Sequence, residues 1–145
     1  MFKVKNSSVE RISKLYAQLE ESLVEEPSVP MKFSKAFMSN SSAINDVLLE
    51  LIGKRNDLFD KYCKKNEDGS IATEKDGETE KVVFKKGKKN EDKFKADIAD
   101  YLDMDTVLRI VPLVTVAGSS TQNYSHKTNY MMVTIDNIVS SLEID

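Results

Sequence analysis

The segment Met31–Lys65, MKFSKAFMSNSSAINDVLLELIGKRNDLFDKYCKK, decides the fold of this chain. Apolar residues recur in it at seven-residue intervals, at Phe37, Ile44, Leu51 and Leu58. At 3.6 residues per turn, this spacing predicts one apolar stripe along a helix of roughly nine turns. The repeat stays in phase across the polar cluster Ser39–Ser42, so we expect a single helix.

A second amphipathic helix precedes this segment. Its apolar residues follow one another in steps of three and four, at Val9, Ile12, Tyr16, Leu19 and Leu23. Pro27 and Pro30 end it, because proline lacks an amide donor and disfavours helical geometry in the residue before it. The linker is short, so the two helices are predicted to form an antiparallel helical hairpin over residues 8–65.

Turn and strand signals follow the hairpin. Asp68-Gly69 and Asp76-Gly77 predict a β-hairpin over residues 69–85, and a third helix is expected over 91–102. Residues 106–142 are predicted to hold a β segment and a short C-terminal helix. The run Val107–Val116 is typical of a strand, or of two segments divided at Pro112. Gly118–Asn129 is expected to be a polar loop, and the last helix is expected to begin at Thr134 or Asp136.

The predicted fold is therefore α+β and mostly helical. It combines an N-terminal antiparallel helical hairpin with a small β-hairpin or short sheet and a short C-terminal helix, in one domain covering residues 1–145. With 40% hydrophobic and 31% charged residues and a net charge of −3, the composition is typical of a soluble globular protein. The polar N-terminus and the single cysteine favour an intracellular protein over a secreted one.

Reactive residue types are scarce, and this argues against an enzyme. Nucleophilic catalysis needs a base beside the nucleophile, and the single histidine, His126, is distant in sequence from the single cysteine, Cys63. Zinc requires more Cys or His ligands than this chain has. The turn at Asp68-Gly69 fails the spacing of a calcium loop. We expect neither an enzymatic activity nor a cofactor nor a bound metal.

A lysine cluster is the strongest local charge feature. We use that name for seven lysines within fifteen residues: Lys81, Lys85, Lys86, Lys88, Lys89, Lys93 and Lys95. Phe84 and Phe94 lie among them, an arrangement that suits nucleic-acid backbones and stacked bases. Acidic residues are interspersed, so the plainer explanation is a solvated surface that protects a strand edge. Lys85, Lys86, Lys88 and Lys89 are the candidate nucleic-acid-binding residues.

The stripe on the central helix is a candidate protein-binding face. Such stripes usually form a core, but two helices of this length carry more apolar surface than the rest of the chain can obviously cover. The candidate partner-binding residues are Phe37, Ile44, Leu48 and Leu51. The partner is expected to be another protein or a second copy of this chain, and no membrane partner is expected.

A resemblance adds a biological context. The run Ile52–Gly69, IGKRNDLFDKYCKKNEDG, the lysine-rich hairpin and the run Asn90–Lys95, NEDKFK, together resemble a group of small tailed-phage proteins of unknown function. Cys63 stands where that group often has glycine. The resemblance implies a bacteriophage protein in the host cytoplasm or on the virion, acting as a host-defence antagonist or as a virion accessory. It brings no catalytic residues.

Overall fold

The computed structural model describes residues 1–117 and 124–144, the side chain of Val116 excepted. Helices make up 64% of the chain, and the described β structure consists of two small antiparallel sheets, so the predicted mostly helical α+β fold is confirmed. The elements in chain order are β1 (Phe2–Lys5), α1 (Asn6–Val24), α2 (Met31–Tyr62), β2 (Thr73–Asp76), β3 (Thr79–Val82), α3 (Lys88–Asp103), β4 (Asp105–Leu108), α4 (Leu113–Ala117) and α5 (His126–Leu142).

The chain divides into two compact units. The first unit comprises Met1–Leu49 and Met104–Asp145, and the second comprises Glu50–Asp103. The division falls within α2. The single domain over residues 1–145 stays a prediction.

In the first unit, the chain's start pairs with a distant strand. β1 and β4 are antiparallel, with Phe2 opposite Leu108 and Val4 opposite Thr106. Val4 and Leu108 are fully buried, whereas Val107 is exposed, so one face of this sheet covers the core. The Ile144 N–H donates to the Lys3 carbonyl across 2.8 Å, which brings the C-terminal segment to the outer edge of β1.

Helix α1 follows β1 without a loop and buries the predicted stripe except for Leu23, which is half-buried. Val9, Ile12, Tyr16 and Leu19 are all buried. The helix approaches α5 more closely than it approaches α2. Tyr16 nevertheless stacks on Phe37 of α2, with ring centroids 5.5 Å apart. The main helical partner of α1 is therefore an element from the other end of the sequence.

Helix α2 is continuous from Met31 to Tyr62, as its seven-residue repeat predicts. A Cβ placed on Gly53 would meet nothing within 4 Å, so this glycine marks no close approach of another backbone. Helix interiors disfavour glycine by about 1 kcal/mol relative to alanine. The continuous helix therefore forms despite Gly53.

The second unit is organised around an aromatic cluster. The Phe94 ring of α3 lies 5.0 Å from Phe59, 5.4 Å from Phe84 and 6.5 Å from Tyr62, measured between centroids. The Tyr62 hydroxyl donates to Asp97 across 2.5 Å. Strands β2 and β3 form a hairpin whose turn residue Gly77 has φ +68°, a conformation that favours glycine.

Two predictions for the C-terminal part were wrong in detail. The run Val107–Val116 is divided at Pro112, as one of the two alternatives predicted, but its second segment is not a strand. Leu113–Ala117 forms α4, because Pro112 suits the entry to a helix and the Asp136 carboxylate accepts the N–H groups of Leu113 and Val114 at 2.8 and 2.9 Å. Helix α5 begins at His126 rather than at Thr134 or Asp136. Residues 118–123 of the predicted polar loop lie outside the described residues.

Candidate functional site

A buried amide joins α2 to the segment after β4. Asn40 is 2% exposed, and its Nδ2 donates to the Val111 carbonyl across 2.8 Å while its Oδ1 accepts the Val111 N–H across 3.1 Å. The same Nδ2 lies 3.3 Å from the Tyr16 hydroxyl. Asn40 thus supplies both hydrogen bonds that a neighbouring strand would give to Val111.

The Tyr16 side chain is buried beside Asn40. Burial raises the pKa of its hydroxyl to about 12, although the hydrogen bond with Asn40 acts in the opposite direction. The phenol is therefore neutral at physiological pH. Tyr16 serves packing between α1 and α2 rather than acid–base chemistry.

An apolar groove opens beside this contact, between the end of α1 and the start of α2. We name it the α1–α2 groove, and its volume is about 500 Å³. Its lining consists of Glu20, Leu23, Val24, Val29, Ser34, Phe37, Met38, Ser41, Ser42 and Asn45. Val24 and Met38 are 81% and 68% exposed, so large apolar side chains stand in water at its border. An apolar floor with a polar rim is typical of a surface that contacts another protein.

The end of α1 is anchored to α5 through a polar cluster. The Glu26 carboxylate accepts hydrogen bonds from the Thr128 hydroxyl and from the Ser125 hydroxyl and N–H. Ser125 is also the N-cap of α5 and accepts the Thr128 N–H. The hydrogen bonds from Thr128 and then Ser125 hold the pKa of Glu26 below its usual range. Because Glu26 is engaged in capping, we interpret this Ser/Thr/Glu cluster as structural.

The four candidate partner-binding residues are not equally accessible. Phe37 and Ile44 are buried in the first unit and Leu51 is buried in the second, while Leu48 is half-buried. Of these four, the Phe37 side chain also lines the α1–α2 groove. Their assignment to a partner stays a prediction, since their burial already gives them a packing role within the chain.

The lysine cluster belongs to the second unit and is partly neutralised. Lys81 pairs with Asp76 at 2.6 Å, Lys95 pairs with Glu91 at 3.1 Å, and the Lys85 ammonium donates to the Asp60 carbonyl at 3.1 Å. In contrast, Lys86, Lys88 and Lys89 make no ion pair with any described residue. Lys88 and Lys89 are the first two residues of α3, and Lys86 lies in the turn before it.

A polar pocket of about 570 Å³ adjoins them. Lys81, Lys88 and Lys95 contribute to its lining, together with Phe84, Glu74 and Glu91 among others. Phe84 and Phe94 contact each other, and both rings are half-buried. The rings thus support the unit's interior and are only partly available for stacking on a base.

Cys63 and His126, the residues weighed as nucleophile and base, lie in different settings. Cys63 is buried, and desolvation raises the pKa of its thiol, so the nucleophilic thiolate is disfavoured. His126 is exposed at the first position of α5. Residues 1–117 and 124–144 contain no group of three or more His, Cys, Asp or Glu side chains placed to hold a metal ion.

Comparisons with protein-family models, with curated proteins and with solved structures gave no match for this chain. No helix among the described residues has the length and apolar character needed to cross a membrane.

Proposed function

We propose that this chain is a non-enzymatic protein that acts by binding a protein partner in the α1–α2 groove. The observation that carries the proposal is the exposure of Val24 and Met38 beside an apolar floor formed by Leu23 and Phe37. Burying such side chains gains roughly 25 cal/mol per Å² of apolar area, which favours a partner that covers them.

The lining also indicates what the partner offers. Between two helices, a groove of this kind suits an amphipathic helix or an extended segment with bulky apolar side chains. Glu20 is the charged residue in the lining, and serines and Asn45 supply hydrogen-bonding groups. We therefore propose that the partner presents an apolar anchor residue with a lysine or arginine next to it.

The resemblance to tailed-phage proteins suggests the setting. On that basis we propose that the partner is an antiviral defence protein in the host cytoplasm and that groove binding inhibits it. A virion-accessory role is the competing version of the same protein-binding function, and phage infection separates the two.

The binding test uses matched charge insertions on α2. Met38→Lys puts an ammonium into the groove, whereas Leu49→Lys alters another exposed apolar residue of the same helix outside the lining. Both proteins are expected to fold normally, as checked by circular dichroism. Wild type and Leu49→Lys should capture the same partner from infected cells, and Met38→Lys should retain at least tenfold less, since burying an unpaired charge is costly.

Infection with the same variants then identifies the biological role. A phage carrying Met38→Lys should produce normal particles and lose infectivity only on hosts that possess the defence protein. Defective particles on every host would instead support the virion role. Equal capture by Met38→Lys and wild type would contradict the groove as the binding site.

Nucleic-acid binding is the second candidate, and one observation favours it. Lys88 and Lys89 are the first two residues of α3 and Lys86 lies just before it, none of the three has a carboxylate partner among the described residues, and the helix dipole also attracts anions at this end. Replacing all three with glutamate should abolish any salt-sensitive shift of single-stranded DNA or RNA. The control replaces Lys14, Lys32 and Lys35 of the first unit with glutamate, so both triple variants change the net charge by the same amount. Equal binding by both triple variants would exclude the lysine cluster as a specific site.

A further inference from the structure

Strand β4 has an outer edge that is open to pairing. The Asn6 N–H donates to the Met104 carbonyl across 2.8 Å, which continues the β1–β4 register and fixes which residues bond across the ladder. Hydrogen-bonded pairs alternate with non-bonded pairs in an antiparallel ladder. Thr106 and Leu108 therefore face β1, and the N–H and C=O groups of Asp105 and Val107 point away from it.

The opposite edge of the sheet supports this assignment. Lys3 is the register partner of Val107, and its carbonyl points away from β4 to accept the Ile144 N–H. On the β4 side, the backbone groups of Asp105 and Val107 bond to no described residue. An open edge is a template for pairing with another strand.

The sequence along this edge is complementary to itself. β4 ends at Leu108, but exposed and buried residues continue to alternate from Val107 to Ile110, and this alternation puts Arg109 on the same exposed face as Asp105 and Val107. If two copies meet antiparallel about Val107, each Asp105 lies opposite the other copy's Arg109. Opposite charges and paired β-branched residues both stabilise directly facing positions.

We propose that two copies of this chain associate through the outer edge of β4, over Asp105–Arg109, to form a continuous four-stranded antiparallel sheet. Val107 faces its counterpart at the centre, and two Asp105–Arg109 pairs flank it. The Val107 side chain is 49% exposed in the single chain and becomes covered in the pair. This surface is separate from the α1–α2 groove, so the inference goes beyond the proposed function.

Asn40 sets the length of the interface. The next residue in the same alternation is Val111, and its N–H and C=O are already bonded to the Asn40 side chain. Pairing therefore stops at Arg109. A five-residue edge buries little area, so we expect association to be weak and visible only at high protein concentration.

The test is a charge swap read by sedimentation equilibrium from roughly 1 to 500 µM, the range in which weak complexes form. Arg109→Asp places aspartates opposite each other at both ends and should weaken association by about tenfold or more. Adding Asp105→Arg restores opposite charges and should return the dissociation constant to near its original value. The double variant loses only the exposed Lys3–Asp105 pair of 3.6 Å within the chain, which contributes little to folding.

A backbone variant tests the hydrogen bonds independently of charge. Val107→Pro removes an N–H that points outward, so the β1–β4 ladder is kept while the central bonds of the pair are lost. This variant should remain monomeric at every concentration, and in the wild type the Val107 amide should become protected from exchange as concentration rises. A wild type that stays monomeric throughout, or a dimer unaffected by Arg109→Asp and Val107→Pro, would overturn the proposal.

Discussion

The two units differ in how much of their structure is buried. In the first, α1, α2, α5, β1 and β4 all contribute fully buried side chains, and Asn40 satisfies part-buried backbone groups. In the second, the buried apolar side chains are Leu51, Leu58, Tyr62 and Cys63, and α3 has no buried residue. Burial is the main source of folding free energy, so the first unit should be the stable scaffold and the second should open more readily. Both the α1–α2 groove and the β4 edge belong to the first unit.

The largest expected effect comes from removing the amide in the first unit. Asn40→Ala leaves the part-buried N–H and C=O of Val111 without partners and should lower the free energy of unfolding by about 2–4 kcal/mol. Urea denaturation measures this loss. Asn45→Ala, an exposed asparagine on the same helix, is the control and should change stability by less than about 0.5 kcal/mol. A similar effect of both variants would mean that Asn40 is not a structural clamp.

A smaller, local effect is expected in the second unit. Phe94→Ala removes the ring shared by Phe59, Phe84 and Tyr62 and should destabilise this unit by about 2 kcal/mol, less than a fully buried phenylalanine because the ring is half-buried. Hydrogen exchange should accelerate in α3 and leave α1 and α5 unchanged. Equal acceleration in both units would show that they unfold together and would remove the contrast between them.

The capping of α5 should give the first unit a defined pH dependence. Because the folded pKa of Glu26 is lowered, its stabilising contribution is complete above its unfolded pKa of about 4.3 and is lost as pH falls through the folded value. Glu26→Gln should therefore lower stability near neutral pH by about 1 kcal/mol or less. The difference from wild type should shrink below about pH 4. A difference that stays constant from neutral to acid pH would contradict the role of the charged carboxylate.

Two glycines of the second unit give effects of opposite sign and of similar small size. Gly77→Ala places a side chain at φ +68° and should lower the free energy of unfolding by about 1 kcal/mol. Gly53 lies in a helix interior, and a Cβ added there would meet nothing within 4 Å. Gly53→Ala should therefore raise the free energy of unfolding by about 0.5–1 kcal/mol. Thermal denaturation of both variants checks the signs. A loss of stability in Gly53→Ala would show that α2 depends on glycine at this position.

Local sequence patterns predicted the helices well, but they did not predict contacts between residues that are distant in sequence. The seven-residue repeat predicted α2, and the three- and four-residue steps predicted which face of α1 is buried. By contrast, the β-branched run Val107–Val116 predicted a strand where the short helix α4 forms, because the start of α4 depends on Asp136, which is distant in sequence. Strand pairing of Phe2–Lys5 with Asp105–Leu108 likewise spans most of the chain.

The candidate site was predicted only in outline. The apolar stripe identified α2 as the relevant helix, but most of the residues chosen from it are buried. The exposed members of the groove, Val24 and Met38, lie off the stripe, and periodicity assigns such positions to solvent. Asn40 was visible in the sequence only as a weak helix former, because its structural role comes from Val111, which is 71 residues away.

Residue-resolved hydrogen exchange of the wild-type protein tests the contrast between the units most directly. We predict that the slowest amides lie in α1, α5 and the β1–β4 ladder and exchange only by global unfolding. Amides of α3 and of the β2–β3 hairpin should exchange faster, through local opening. Equal protection in the two units, or slower exchange in Glu50–Asp103, would contradict this contrast.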